Sequence, residues 1–309
     1  MKENFISKFS KLPKYILKLT KKYSNRLIFG QNRSIFKGSG IEFVDIREYV
    51  EGDDPRYIDW NVSARMNQLF VRNFQEEREI PIYSIMDLDS SLFFGTKKKT
   101  KIELLEELIA TIINISTSLS ERFGAIISFK DEMAFFRPSK NFSQNYKIIN
   151  FLHNLIEDFQ KNKEKYLGAQ SNIEKLLKTI NQYIKRTSII IIFSSFADVK
   201  NYENIEKYLR TIKKIKNNEV YVFKLTDISE INPTINGMIN IMDPFTKKTR
   251  FIELTPKILE EFKKQAIAKI NKIEEICKKN NIIFMNFFTN EDMDKKILEF
   301  LKKKMFSKK

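Results

Sequence analysis

Between Ser188 and Ser195 the chain reads SIIIIFSS, an apolar run with no polar residue in its middle. A strand of that kind needs cover on both faces, which helices crossing over a parallel sheet supply. The surrounding sequence contains them. From Ile80 onward apolar runs alternate with amphipathic stretches: IPIYSIMDL reads as a buried strand, and Lys101 to Arg122 sets Ile102, Leu105, Leu108, Ile109, Ile112, Ile113 and Leu119 on one helical face. GAIISF reads as a strand with EMAFFRP as its hairpin partner, followed by helices around 142–159 and 172–186. After SIIIIFSS come a helix near 201–216, the strand EVYVFKL, a hairpin around GMINIMDPFTKKTRFIEL, a helix from Pro256 to Lys279, the strand IIFMNFF and a last helix beyond Thr289. The pattern predicts an α/β domain over residues 80–309, doubly wound, with a mainly parallel sheet and Rossmann-type layering.

Residues 1–79 form an N-terminal extension. In ENFISKFSKLPKYILKLTKKY, Phe5, Phe9, Leu12, Ile16 and Leu19 recur at spacings of three and four with lysines between them, the pattern of a basic amphipathic helix. Such a stripe, within residues 1–22, can make peripheral contact with an anionic membrane; packing against its own protein is the commoner use of the pattern. Between Gly30 and Glu79, turn signals at GSG and EGDDP separate IEFVDIREYV and QLFVRNF, which read as strands or extended arms of a connecting module.

Hydrophobic residues at 42% and aromatics at 13% make a globular chain the expectation. Lys and Arg number 55 against 39 Asp and Glu, a net charge of +16 that would suit an anionic partner. The lysines are scattered without interleaved aromatics, and Lys, Asn, Ile and Phe are abundant together while Gly and Pro are scarce. That joint skew reads as genome bias, and nucleic acid is not an expected partner. A single cysteine, Cys277, excludes an internal disulfide, and with only His153 to help it cannot build a zinc site. No run approaches the roughly 18 apolar residues of a membrane span, and residues 1–30 lack a secretory core, so the expected location is cytoplasmic, with membrane association only through the N-terminal stripe.

Two stretches concentrate polar chemistry. MDLDSS, Met86 to Ser91, sets two carboxylates and a hydroxyl at alternate positions at the carboxyl end of a strand, where open parallel sheets bind their ligands. GDDPRYIDW gathers Asp53, Asp54 and Asp59 near Arg47, Arg56 and Arg65, with no nucleophile, phosphate-cradling glycine loop or histidine beside them. The expectation there is structural: Asp54-Pro55 starts a turn, Ile58 and Trp60 plug into the core, and Arg56 and Arg65 clamp carboxylates to hold the extension on the sheet. His153 reads as a hydrogen-bonded helix residue, Cys277 as a semi-buried spacer and KKKMFSKK as a solvated tail.

The segment GSGIEFVDIREYVEGDDPRYIDWNVSAR resembles the signature of the family called domain of unknown function 58, through Gly40, Glu42, Phe43, Arg47, Tyr49, Gly52, Asp53, Asp54, Arg56, Ile58, Asp59, Trp60, Ala64 and Arg65. The likeness continues at DLDSS, GAQSNIEKLL, IIIIFSSFAD and LTDISEINPTINGMINIMDPFTKKTRF, so it covers nearly the whole chain. The resemblance implies a von Willebrand factor A-like domain with a metal-ion-dependent adhesion site on three loops above the sheet. The first loop of such a site reads Asp-x-Ser-x-Ser, the second offers a threonine and the third an aspartate. Here Asp87 and Ser91 are kept, Asp89 replaces the middle serine, Ser171 replaces the threonine and Ser195 replaces the third-loop aspartate, with Asp198 three residues further on. The implied cofactor is Mg²⁺ or Mn²⁺ held by Asp87, Asp89, Ser91, Ser171 and Ser195. The alternative is a degenerate cup in which Asp89 accepts backbone amides and no metal binds.

The function implied is that of a non-enzymatic adaptor. Proteins similar to this family commonly occur with MoxR-type AAA ATPases, so such an ATPase is the expected partner, in chaperone-like assembly or maturation. The chain itself has no GxxxxGK[ST] sequence with which to hydrolyse nucleotide. A reading from another class is a metal-dependent hydrolase using Asp87 and Asp89, which needs further carboxylates or histidines converging on them.

Overall fold

The structure, a computed structural model, describes residues 41–76, 80–96, 99–118, 120–130, 132–234 and 237–306. The basic stripe of residues 5–19 and the GSG turn at 38–40 lie outside the described residues. The described chain opens with β1 (Ile41–Glu48), α1 (Trp60–Met66) and β2 (Phe70–Glu76), the two strands pairing antiparallel. It continues through β3 (Ile82–Leu88), α2 (Lys101–Ser118), β4 (Phe123–Phe129), β5 (Glu132–Ser139), α3 (Phe142–Lys161), α4 (Lys163–Tyr166), α5 (Ile173–Tyr183) and β6 (Ile189–Ser194). Then come α6 (Tyr202–Lys214), β7 (Glu219–Thr226), the hairpin β8 (Gly237–Met242) and β9 (Thr249–Leu254), α7 (Pro256–Lys279), β10 (Ile283–Phe288) and α8 (Met293–Phe306).

The main sheet has the order β10-β7-β6-β3-β4-β5, with every neighbouring pair parallel except β4 and β5. Strand period and burial explain the isoleucine run. Ile189, Ile191 and Phe193 meet a layer built from α2, α3 and α8, while Ile190 and Ile192 meet the opposite layer of α5, α6 and α7. Because successive side chains point to opposite faces, a strand covered twice has no position left for a polar residue. The helix after β3 covers one face and the helix after β6 the other, so a crevice opens between the carboxyl ends of these adjacent strands. This is the doubly wound α/β architecture. The helix predicted to reach Arg122 stops at Ser118, and Ser120 takes a left-handed conformation (φ 56°) that turns the chain into β4.

The N-terminal module corrects two expectations. Trp60 does not plug into a core: it is 66% exposed, and Ile58 is only half-buried. Asp59 is the reason. Its Oδ1 accepts from the backbone amides of Asn61 and Val62 (3.1 and 3.2 Å) and its Oδ2 from Arg72 Nε (2.8 Å), which makes it the N-cap of α1. With the cap set there, Trp60 becomes the first helical residue and turns outward. The arginine clamps also work within the module rather than onto the sheet. Arg47 grips Asp53 bidentately (2.7 Å for each bond), Arg56 folds back on Asp54 (2.6 Å), and exposed Arg65 pairs with no carboxylate among the described residues.

Three further residues are placed by packing. Lys304 in the tail is buried, 3.5 Å from Glu219 Oε2 and 5.0 Å from the centre of the Tyr221 ring, so that part of the tail is docked rather than solvated. Cys277 is fully rather than half buried, and burial pushes its thiol up to about 12. His153 bridges Glu106 (3.0 Å) and Glu157 (3.2 Å) on the surface of α3, a structural role.

The contrast between the fully buried Ile192 and the outward Trp60 is measurable. Ile192→Ala is expected to cost about 2–5 kcal/mol through lost burial and the cavity left, and Trp60→Ala to stay within about 0.5 kcal/mol. Guanidinium unfolding followed by circular dichroism reads both. Equal costs would contradict the outward placement of Trp60.

Candidate functional site

Three loops converge on the carboxyl ends of β3 and β6. The first begins inside β3: Asp87 is its penultimate residue, and Asp89 caps a 3-10 turn at Ser90–Phe93, its Oδ1 accepting from Ser91 N (2.7 Å). Ser90 fastens this loop to the second one, donating from Oγ to the carbonyls of Tyr166 (2.7 Å) and Ala169 (2.9 Å). The second loop turns at Gly168, whose φ of 88° lies where an L side chain is strained, and where an added Cβ would stand 3.2 Å from Lys247 Cε. Gly168 N donates to Pro244 O (2.8 Å), tying the β8–β9 hairpin to the same edge. From this loop Ser171 Oγ donates to Asp87 Oδ2 (2.6 Å) and Asn172 N to Asp87 Oδ1 (3.1 Å).

The third loop supplies two serines. Ser194 Oγ donates to Asp87 Oδ2 (2.9 Å) and Ser195 Oγ to Asp89 Oδ2 (2.7 Å). Phe196 follows in the left-handed region (φ 49°), uncommon for a bulky residue, and its amide donates to Ser194 Oγ (3.0 Å). Asp87, Asp89, Ser91, Ser171 and Ser195 therefore meet in one cup. No described hydrogen bond links Asp198 to it.

Sequence reasoning missed four members. Ser194 adds a second hydroxyl on Asp87. Lys101, the first residue of α2 and fully buried, places Nζ 3.4 Å from Ser91 Oγ and 2.5 Å from Glu230 Oε1. Lys224 on β7, adjacent in register to Ser194, donates from Nζ to the Ser195 carbonyl. Glu230 closes the group from the turn after β7, where it also makes a capping box with Asp227. The available signal was a lone lysine inside the apolar strand EVYVFKLT, a residue type almost never fully buried unless paired.

Burial first, and then the nearby Asp89 charge, push the Asp87 carboxyl up to about 7, against the three donors that favour its ionised form. Burial brings Lys224 down to about 8, with Glu230 and Asp89 pulling it up and Lys101 and Lys269 adding to the lowering. Next to Lys224 a cavity of about 200 Å³ opens between the strand ends and α7, lined by Phe196, Ile231, Phe262, Lys269 and Ile270 among others.

As a metal cup the donor set has the right type, all oxygen, for a hard cation. Its geometry is already satisfied. All four oxygens of Asp87 and Asp89 accept protein hydrogen bonds, neither aspartate has exposed surface, and two lysine ammonium groups lie against the same cluster. Among the described residues no group of three or more His, Cys, Asp or Glu is placed to hold a metal. The residues do not fit an open divalent site that keeps several waters.

A raised carboxyl makes stability depend on pH with a definite sign. The folded state holds the Asp87 proton more tightly than the unfolded chain does, so this group's contribution is complete below about pH 4 and is lost as pH rises toward about 7. Asp87→Asn keeps an acceptor for Asn172 N, and the hydroxyls of Ser171 and Ser194 can turn to accept from its amide. Relative to wild type, its Tm is expected to rise between pH 4.5 and 7.5 by about 2–4 °C for each kcal/mol of relieved charge. A Tm difference that stays constant across this range would refute the raised carboxyl.

The family described as "Protein of unknown function DUF58" matches residues 45–272. Similar proteins include the uncharacterized protein Rv1480 of Mycobacterium tuberculosis and the uncharacterized protein Mb1516 of Mycobacterium bovis, each 23% identical over 243 residues, spanning 78% of this chain and 73% of theirs. Solved structures with a related chain course include BatB from Bacteroides thetaiotaomicron (TM-score 0.47, 11% identity, 72% of this chain and 98% of that one). The SpRpn10 VWA domain is another (TM-score 0.41, 11% identity, 70% of this chain and 91% of that one). With the match spanning most of its length, the chain belongs to the DUF58 family.

Proposed function

We propose that this chain is a non-enzymatic adaptor that binds a protein partner at the carboxyl edge of its sheet, around a modified adhesion-type site, and that the partner is a MoxR-type AAA ATPase in chaperone-like assembly or maturation. The observation that carries the reading is the convergence of three loops on Asp87 and Asp89 at the crevice where the sheet's connections part to opposite faces. The interior of the edge is locked by hydrogen bonds while its rim stays open: Phe94 is 44% exposed at the end of the first loop, and Gln170 is exposed on the second. A rigid polar floor with an exposed aromatic on its rim is suited to holding a partner's surface.

The hydrolase reading meets two obstacles in the same geometry. Ser91 has Lys101 within 3.4 Å, but that lysine is engaged by Glu230 at 2.5 Å and is not free to take a proton from the serine. Two-metal chemistry needs more carboxylates or histidines than the described residues bring to Asp87 and Asp89. Among the described residues no helix is long and apolar enough to cross a membrane.

Titration of the purified chain with the MoxR-type ATPase of its own genome, read by calorimetry, tests the proposal. Phe94→Asp and Gln170→Arg are expected to weaken binding at least tenfold, and Lys185→Glu, exposed beyond the opposite end of the sheet, to leave it unchanged. Saturable binding untouched by both edge substitutions would move the interface elsewhere, and no binding by wild type would remove the ATPase as partner.

A further inference from the structure

The adhesion-type pattern reads a divalent cation into this edge, but the buried charges of this chain already contain their own cations. Three carboxylates, Asp87, Asp89 and Glu230, gather with two ammonium groups, Lys101 and Lys224. Lys101 has no exposed surface, and its Nζ stands against Ser91 Oγ, the hydroxyl that the family pattern gives to the metal. Lys224 rises from the neighbouring strand to the carbonyl of Ser195, the residue standing where that pattern has its third-loop aspartate. The carboxylate that would have faced a metal there is gone, and the one gained at Asp89 is spent on Ser91 N and Ser195 Oγ.

We infer that the Lys101 and Lys224 ammonium groups replace the divalent cation of the adhesion-type site, supplying its two positive charges to the carboxylate cluster, so that the edge works without metal. A buried ammonium is tolerated only when paired and hydrogen-bonded, and both lysines are so engaged, Lys101 by Glu230 and the Ser91 hydroxyl, Lys224 by the Ser195 carbonyl beside the cup. Bringing Mg²⁺ into the same closed volume would set a double positive charge beside two fixed positive charges where water screens them poorly. The five residues form one unit: removing a lysine leaves Asp89 and Glu230 short of positive charge, which creates the demand for an added cation that the wild type lacks.

The test separates this inference from the adaptor reading, because it measures metal rather than partner. The purified full chain is stripped with chelator, then titrated with Mn²⁺ and Mg²⁺ by calorimetry, with bound Mn²⁺ counted by electron paramagnetic resonance and Tm followed by circular dichroism. Wild type is expected to show no saturable Mn²⁺ binding below millimolar concentration and the same Tm with chelator or with metal. Lys101→Met and Lys224→Met are expected to melt lower, and millimolar Mn²⁺ is expected to return part of the lost Tm in at least one of them. If both variants fail to fold, the wild-type titration still decides. Stoichiometric Mn²⁺ binding by wild type, abolished in Asp87→Asn, would overturn the inference, as would lysine variants that melt like wild type.

Discussion

Two aspartates with no exposed surface at the end of the central strand set the terms for everything around them. A buried carboxylate must be hydrogen-bonded or paired, because transfer from water to the interior without partners costs several kcal/mol or more. Asp87 and Asp89 obtain their partners from three loops far apart in sequence: Ser91 from their own loop, Ser171 and Asn172 from the second, Ser194 and Ser195 from the third. Satisfying the pair thus draws the loops together and fixes the shape of the edge. Ser90 and Gly168 extend the same stitching to the short helix α4 and the β8–β9 hairpin. The edge proposed to bind a partner and the structural knot are one object.

How much of this could be read from the chain follows from the range of the interactions. Strands and helices of the main domain are set by local periodicity, and IIIIF, IPIYSIMDL and the amphipathic run after Lys101 announced them. The first, second and third loops could be placed because each sits at the end of a legible strand or the start of a legible helix. Hydroxyl-to-carboxylate pairing at Ser171 and Ser195 was within reach of a family pattern; the pairing of Lys101 with Glu230 was not, since it depends on how the first turn of α2 lies over the turn after β7. Trp60 shows the opposite failure. Its apolar character argued for burial, but a one-residue decision, Asp59 taking the cap, turned it to solvent.

The N-terminal module illustrates a different physics. Its ion pairs are well formed, with Arg47 on Asp53 and Arg56 on Asp54, yet they lie in water, where screening and side-chain entropy leave such pairs with little net effect. They shape the loop between β1 and α1 without anchoring it. Among the described residues of the module, the pair with the most buried carboxylate, Arg72 with Asp59, is the one that also caps a helix, and so joins β2 to α1.

Beyond Asp87 and Asp89 the edge holds a further buried acid, and the comparison shows what sets the charge of each. Asp227, just past β7, accepts from Thr96, Ser229 and Thr289, and those hydroxyl donors hold it at about 2 although burial opposes them. Asp87 is also hidden and richly bonded, but there burial, with the like charge of Asp89 adding to it, outweighs the donors, and its carboxyl moves the other way, to about 7. Donors alone therefore do not decide the charge of a buried acid: at Asp87 burial outweighs them and the neighbouring Asp89 charge adds to it, while at Asp227 the donors prevail. Asp227 pins Thr96 and Thr289 with a fixed negative charge and has no reason to change state. Asp87, pushed up by burial and by Asp89, lies where the three loops meet between β3 and β6, whereas Asp227 lies between the ends of β7 and β10, so the acid that gathers the loops and the acid that pins the flanking turns are separate.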